Sequence, residues 1–216
     1  MSATRIIAIR HGETEWNTGA RIQGHTDIAL NARGHWQAQR LARALAEEHI
    51  DHIYTSDLTR AYATAQAIAQ PSAAATLRPL QMHIGLRERA FGQFEGATFE
   101  QIASQWPDAA QRWKQRDPDF APPDGETLLN FYHRIQNTLN ALASQHPGQQ
   151  IVLVAHGGVM DVLYRLATQQ SLTSPRTWEL GNTAINRLLW TTESLTIVGW
   201  SDTRHLEGVA LDETTA

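Results

Sequence analysis

Thr4-Arg5-Ile6-Ile7-Ala8-Ile9-Arg10-His11-Gly12-Glu13-Thr14 is the stretch whose reading decides the fold. Four consecutive apolar residues, mostly β-branched, run without alternation into an arginine, a histidine and a glycine, which reads as a strand covered on both faces that ends in polar chemistry. A second run of the same kind, Ile151-Val152-Leu153-Val154-Ala155, leads into His156-Gly157-Gly158. Between and around them the apolar period changes to that of helices. Ala38, Leu41, Ala42 and Leu45 share one face, and Leu58, Ala61, Tyr62, Ala65, Ile68 and Ala69 share another before Pro71 stops that helix. Leu128, Phe131, Ile135, Leu139 and Leu142 make a third stripe, and Val159, Val162, Leu163 and Leu166 a fourth.

Ile53-Tyr54-Thr55 and Thr76–Leu80 read as further short strands, with Ala184–Trp190 and Leu195–Trp200 as a late pair. Strands alternating with helices predict an α/β fold: three α/β/α layers around a mostly parallel central sheet. Residues 91–125 break the rhythm with Trp106-Pro107, Asp117-Pro118 and Pro122-Pro123, and are expected to form a lid-like insertion over the C-terminal ends of the strands. The whole chain, 1–216, reads as one domain, with a frayed tail after Leu211.

Composition narrows the function. The 216 residues are 42% hydrophobic and 19% charged, which supplies a sizeable core and argues against disorder. Eighteen basic and 22 acidic residues give a net charge of -4, so bulk attraction to nucleic acid or an anionic membrane is not expected and any anion must be held by a local site. No apolar run reaches the roughly 18 residues of a membrane span. The N-terminal apolar stretch is too short for a signal peptide, from which a cytoplasmic protein is expected. The absence of cysteine removes disulfides, thiolate metal sites and cysteine nucleophiles. His25, His35, His49 and His52 fit no zinc-binding helix spacing and read as surface or core-edge residues; no metal or other cofactor is expected.

His11 and His156 both follow the carboxyl ends of predicted strands, where open α/β sheets place their ligands. Gly157 and Gly158 let backbone N–H groups approach an anion at a helix N-terminus. Arg10 precedes His11, and Arg60 falls on the first turn of the helix after Ser56-Asp57-Leu58-Thr59. Taken alone, the Arg10-His11 pair reads as a strand end with solvated polar residues in preference to a site. Four such groups converging on one sheet edge would instead suit a tetrahedral dianion.

Arg10-His11-Gly12-Glu13-Thr14-Glu15-Trp16-Asn17 resembles the signature of the histidine phosphatase (phosphoglycerate mutase-like) superfamily. Further segments resemble its pattern in order: Arg21-Ile22-Gln23-Gly24, Ser56-Asp57-Leu58-Thr59-Arg60-Ala61, Leu86-Arg87-Glu88, Phe91-Gly92 to Glu95-Gly96, Gly125-Glu126-Thr127 and Ala155-His156-Gly157-Gly158. The resemblance implies His11 as the nucleophile, its other ring nitrogen held as a donor, and Glu88 as the acid that protonates the leaving group; outside that frame Glu88, between Arg87 and Arg89, reads as a solvated charge. It implies Arg10, Arg60, His156 (if protonated, a third cation), Asn17 and Gly157 as phosphate ligands, with Gln23 and Gly24 as further contacts. The implied partner is a small-molecule phosphate ester.

Within the family the resemblance leaves three outcomes. The cofactor-dependent mutases carry a tyrosine and then a lysine after the acid, followed by paired arginines; here Phe91, Phe99 and Lys114-Gln115 occupy the matching positions, although Arg89 is retained and Arg112, Lys114 and Arg116 could compensate in part. The closing run Ser201–Leu206 to Ala210–Glu213 is similar to the branch often labelled phosphoglycerate mutase 2, whose members are frequently phosphatases. A phosphomonoesterase working through phosphohistidine is therefore expected, with phosphoglycerate mutase as the alternative and an inactive phosphate-ester binding module as a second. Phe91, Phe94 and Phe99 suggest a pocket tolerant of bulky apolar leaving groups, while Trp106 and Trp113 are expected to pack the insertion.

Overall fold

A computed structural model describes residues 2–70 and 77–207. Six strands form one sheet in the order β3-β2-β4-β1-β5-β6: β1 Thr4–Arg10, β2 His52–Thr55, β3 Leu80–Met82, β4 Gln150–Ala155, β5 Ile185–Trp190 and β6 Leu195–Asp202. β1, β2, β3 and β4 pair in parallel, while β5 lies antiparallel to both β1 and β6. The mostly parallel α/β architecture is thus the one the alternating pattern predicts.

The unbroken apolar runs explain themselves once the faces are separated. Ile7, Ile9, Val152 and Val154 point to one side of the sheet, where they pack with Leu41 of α2 (Ala32–Ala44) and Ala61, Ala65 and Ile68 of α3 (Thr59–Ala69). Ile6, Ala8, Leu153 and Ala155 point to the other, against Phe131, Ile135 and Leu139 of α6 (Leu128–Ala143) and Val159, Val162 and Leu163 of α7 (Gly157–Thr168). Successive strand residues face opposite layers, so a strand buried on both sides must be apolar throughout.

The third predicted strand is displaced. It spans Leu80–Met82 in place of residues 76–80. Pro79 has no N–H to give to a ladder; its carbonyl accepts from Ile53 N–H at 2.8 Å and pairing begins one residue later. The Arg78 guanidinium meanwhile serves the carbonyls of Leu45, Ala46, Glu48 and Ile68 at the ends of α2 and α3. Pro71, Thr76 and the tail beyond Leu211 lie outside the described residues.

Residues 91–125 contain α4 (Phe99–Gln105) and α5 (Pro107–Lys114), and enclose a small core of Phe94, Ile102, Ala110 and Phe120. Trp106 packs on Phe94, as expected of a residue filling the insertion. Among the described residues no helix is long and apolar enough to cross a membrane.

The loop after β1 is wedged against the start of α2. A Cβ on Gly34 would meet the Glu13 carbonyl oxygen at 2.1 Å, and one on Gly12 would meet the Gly34 oxygen at 2.5 Å. Both contacts are with backbone, which cannot swing aside. Gly34→Ala is therefore expected to lower unfolding free energy by about 1–3 kcal/mol through overpacking, whereas Gly199→Ala, with nothing within 4 Å of the added carbon, stays within about 0.5 kcal/mol of the parent. Urea denaturation of the two variants checks this, and equal stabilities would contradict the wedge.

Candidate active site

Parallel pairing of β1 with β4 sets Arg10 opposite Ala155, and His11 N–H continues the ladder to the Ala155 carbonyl at 3.0 Å. That register carries His11 and His156 off the same sheet edge as neighbours, with ring centroids 5.2 Å apart. The His11 Nδ1 lies 2.7 Å from the Gly12 carbonyl oxygen. A carbonyl only accepts, so Nδ1 carries the proton and Nε2 keeps its lone pair. The ring is 3% exposed, and its pKa lies well below the ordinary histidine value because of burial first and the nearby Arg60 and Arg10 charges second. A neutral imidazole with one fixed tautomer is the form a nucleophile requires.

Arg60 is fully buried, in line with Ala61, Thr64 and Ala65 on the sheet-facing side of α3. Its Nη1 donates to Thr26 O at 2.9 Å and its Nη2 to Gly24 O at 2.8 Å, while Nε is buried without a partner. Arg10 Nη1 donates to Leu180 O at 2.5 Å, and its Nε is likewise buried and unpartnered. Neither guanidinium forms an ion pair among the described residues. Burial lowers the pKa of both. Two desolvated cations held only by carbonyls are destabilised until an anion arrives.

A cavity of about 210 Å³ opens between them, and its wall includes Arg10, His11, Asn17, Gln23, Gly24, Arg60, Glu88 and Gly157. Eight of the nine sequence-predicted residues thus line one space. The ninth, His156, is fully buried beside His11, with both ring nitrogens unpartnered. Its pKa is depressed well below the ordinary value by burial and then by Arg60, so the unliganded site holds it neutral and not as the third cation considered from sequence.

Asn17 belongs to α1 (Glu15–Thr18), and its Oδ1 accepts from Thr14 N–H at 3.0 Å in a capping box. With Oδ1 so committed, Nδ2 is the group left for an anion. Gln23 Oε1 is buried with no partner, and rotating the amide would present its NH₂ instead. Gly24 adopts φ +52°, where a Cβ would strike the Glu95 carboxylate at 2.0 Å; its carbonyl orients Arg60. Gly157 heads α7, so its N–H is one of the helix's free terminal donors.

Glu88 reaches the cavity from the other side. One carboxylate oxygen accepts from Gly158 N–H at 2.9 Å and the other from Arg89 N–H at 2.8 Å. A Cβ on Gly158 would sit 2.2 Å from Glu88 Oε1, so the second glycine of the pair exists for this approach. The Glu88 carbonyl accepts from His25 Nε2 at 2.8 Å and from Arg134 Nη2 at 3.1 Å, and Arg134 is itself paired with Glu126 at 2.7 Å. His25 is therefore more than the surface or core-edge residue expected, while His35 and His49 are exposed and His52 packs at a tilt against His146.

Residues missed from sequence are those acting through backbone: His25 and Arg134 on the Glu88 segment, Asn182 donating to His11 O at 2.8 Å, and Glu95. Glu95 accepts from His25 N–H, Thr26 N–H and Phe91 N–H, and so ties the Arg60-binding loop to the insertion. Of the three phenylalanines expected at a pocket, Phe91 alone lines one; Phe94 is buried in the insertion core and Phe99 packs on Trp113. Trp113 both packs there and lines a second cleft. Among the described residues no group of three or more His, Asp or Glu is arranged to hold a metal ion.

Comparison with known proteins places the chain in a family. The chain is 38% identical over 205 residues to phosphoglycerate mutase-like protein 4 of Arabidopsis thaliana, covering 94% of this chain and 86% of that protein. It is 33% identical over 208 residues to a metal-independent phosphoserine phosphatase of the same plant, covering 95% and 84%. Its fold matches that of a phosphoserine phosphatase variant from Entamoeba histolytica solved with phosphoserine, with a TM-score of 0.82, 30% identity, and coverage of 94% of this chain and 100% of that one. Residues 6–203 match the family model of the histidine phosphatase superfamily, branch 1, and the chain belongs to that family.

Proposed function

We propose that the protein is a phosphomonoesterase that hydrolyses small phosphate esters through a phosphohistidine at His11. The observation that carries this reading is the neutral, singly tautomeric imidazole beside two guanidiniums that lack any carboxylate partner among the described residues. The His11 Nε2 lone pair attacks phosphorus in line as the ester P–O bond breaks. Charge then spreads over the equatorial oxygens, which Arg10, Arg60, Asn17 Nδ2 and the Gly157 N–H stabilise, with Gln23 and Gly24 on the outer wall. His156 enters as a neutral donor; a bound dianion reverses the local field and favours its protonated form. Glu88 gives a proton to the departing alkoxide. It then takes one from the water that attacks phosphorus, returning His11 and releasing inorganic phosphate.

The relatives named for phosphoserine support hydrolysis, and the relative named for phosphoglycerate mutase keeps transfer as the competing outcome. A mutase needs dedicated cations for a second phosphate. Arg89 does not supply one: it is buried, donating to the carbonyls of Phe120 and Glu126, and desolvation lowers its pKa to about 10. Arg112 is taken by Asp117 and Arg116 by Asp161, which leaves Lys114 and Arg176 as exposed cations without an ion pair among the described residues. With 3-phosphoglycerate and catalytic bisphosphoglycerate, inorganic phosphate is the expected product; accumulation of 2-phosphoglycerate would establish the mutase instead.

Glu88→Gln is expected to slow alkyl phosphates by roughly 10²–10⁴-fold while aryl phosphates, whose leaving groups need no proton, lose far less. Equal losses in kcat on both would remove Glu88 from the acid role. The histidine assignment has its own check. Nitrogen-15 NMR of the unliganded enzyme should show His11 as the Nδ1–H tautomer with a titration midpoint well below 6.5; a midpoint at or above 6.5 contradicts it. The unfolded chain gains protons at His11 and His156 as pH falls through about 6.5 while the folded chain does not, so these residues make stability decline below that pH.

A further inference from the structure

Phosphoryl transfer leaves a second cleft unexplained. Its volume is about 220 Å³, and it shares Glu88 and Phe91 with the phosphate cavity, so a leaving group departing toward Glu88 enters it. Trp113, Leu128 and Phe131 give it apolar sides, but Asp161 and Arg176 line it too. Asp161 sits three residues along α7 from Gly158, the residue that binds Glu88, and the helix rises ~4.5 Å over that interval. A substituent one or two carbons beyond the ester carbon is therefore the part of a substrate that comes level with Asp161.

The two oxygens of Asp161 have different fates. Oδ2 accepts from Arg116 Nη2 at 2.7 Å and Arg165 Nε at 3.0 Å. Those arginines go on to the carbonyls of Leu172 at 2.6 Å, Ser171, and Ser174 at 2.9 Å, so the segment carrying Arg176 is roped to α7 through this carboxylate. Oδ1 is buried and has no partner among the described residues, in a side chain whose residue is only 6% exposed. A buried carboxylate oxygen left without a hydrogen bond is a place that a donor would satisfy. Arg176, on the exposed rim, forms no hydrogen bond or ion pair among the described residues, yet its charge is close enough to depress the Arg10 pKa. It is a free cation at the far side of the same cleft.

We infer that Asp161 and Arg176 select the leaving group: Asp161 Oδ1 accepts a hydrogen bond from a hydroxyl or ammonium on the carbon next to the ester-bearing carbon, and Arg176 holds an adjoining carboxylate or similar anion. This rests on the phosphomonoesterase reading and narrows it to short, acidic, donor-bearing phosphate esters. Apolar leaving groups fill the walls but leave Oδ1 orphaned, and a site built to receive a donor discriminates strongly against an analogue lacking it.

Three esters that differ only at one carbon test the inference: O-phosphoserine, 3-phosphoglycerate and 3-phosphopropionate carry an ammonium, a hydroxyl and a hydrogen there. The wild-type enzyme is expected to process at least one of the first two with kcat/KM tenfold or more above the third; equal values overturn the inference. Asp161→Asn can keep a carbonyl oxygen on the arginines while turning the free acceptor into a donor. In protein whose melting temperature matches the parent, the preference should collapse toward one, and its survival would refute the role of Asp161. Arg176→Gln, at an exposed position, reads the other arm without risk to folding: the preference for 3-phosphoglycerate over glycerol phosphate, which lacks the carboxylate, should fall at least fivefold, and an unchanged ratio would refute the role of Arg176. Failure here is separable from failure of the parent reading. Aryl phosphate turnover above a His11→Ala control with no preference across the series sinks the selectivity alone, whereas absence of that turnover sinks the phosphomonoesterase.

Discussion

Two guanidinium groups with no carboxylate to pair with among the described residues are the constraint around which the rest of the site is arranged. Arg60 is wholly buried and Arg10 partly so, and each is steadied by backbone carbonyls in place of an anion. Carbonyl dipoles fix direction without cancelling charge, so the positive field stays available for a ligand. That same field, added to burial, holds His11 and His156 unprotonated. Cation placement and nucleophile activation are thus one electrostatic arrangement: the groups that would bind a phosphoryl dianion also keep the attacking nitrogen's lone pair free.

Holding such a field in place demands a scaffold with little give. The parallel β1–β4 register delivers both histidines, the glycine contact between the His11 loop and α2 leaves no slack, and Thr64 Oγ1 accepts from Gly12 N–H at 3.0 Å from the far side. The insertion takes part in this scaffold. Through Glu95 it braces residues 24–26, whose carbonyls orient Arg60, and through Glu126 and Arg134 the following segment grips the backbone of Glu88. Acid and cation are each positioned by a carboxylate one step removed from the reacting centre.

The division between the phosphate cavity and its neighbouring cleft follows the same logic. The first is lined by Gly157 and by Arg10, Arg60 and Asn17, groups chemically suited to any phosphoryl dianion. The second mixes aromatic walls with a buried ion-pair hub at Asp161, whose arginines are consumed in anchoring the 171–176 segment. On the proposed reading, chemistry common to a family and selectivity particular to a chain would occupy adjacent but separately adjustable spaces.

What could be read from sequence were those features encoded by local pattern. Uninterrupted β-branched runs mark doubly covered strands, and Arg10, His11, Arg60, Glu88, Gly157 and Asn17 stand in short motifs whose members reach the cavity directly. Strand β3 was misplaced by local reading because a proline's missing N–H matters only once its ladder partner, Ile53, is known. His25, Arg134, Glu95, Asn182 and Asp161 were invisible for a related reason. The contacts that give them their roles reach backbone groups or ion-pair partners up to 171 residues away, and the short-range ones, Asp161 with Arg165 and Glu95 with Phe91 N–H, do not reveal those distant partners. Protonation states, the tautomer of His11 and the unpaired oxygen of Asp161 were likewise decided by tertiary structure alone, since each depends on what water is excluded and which dipoles surround the group after folding.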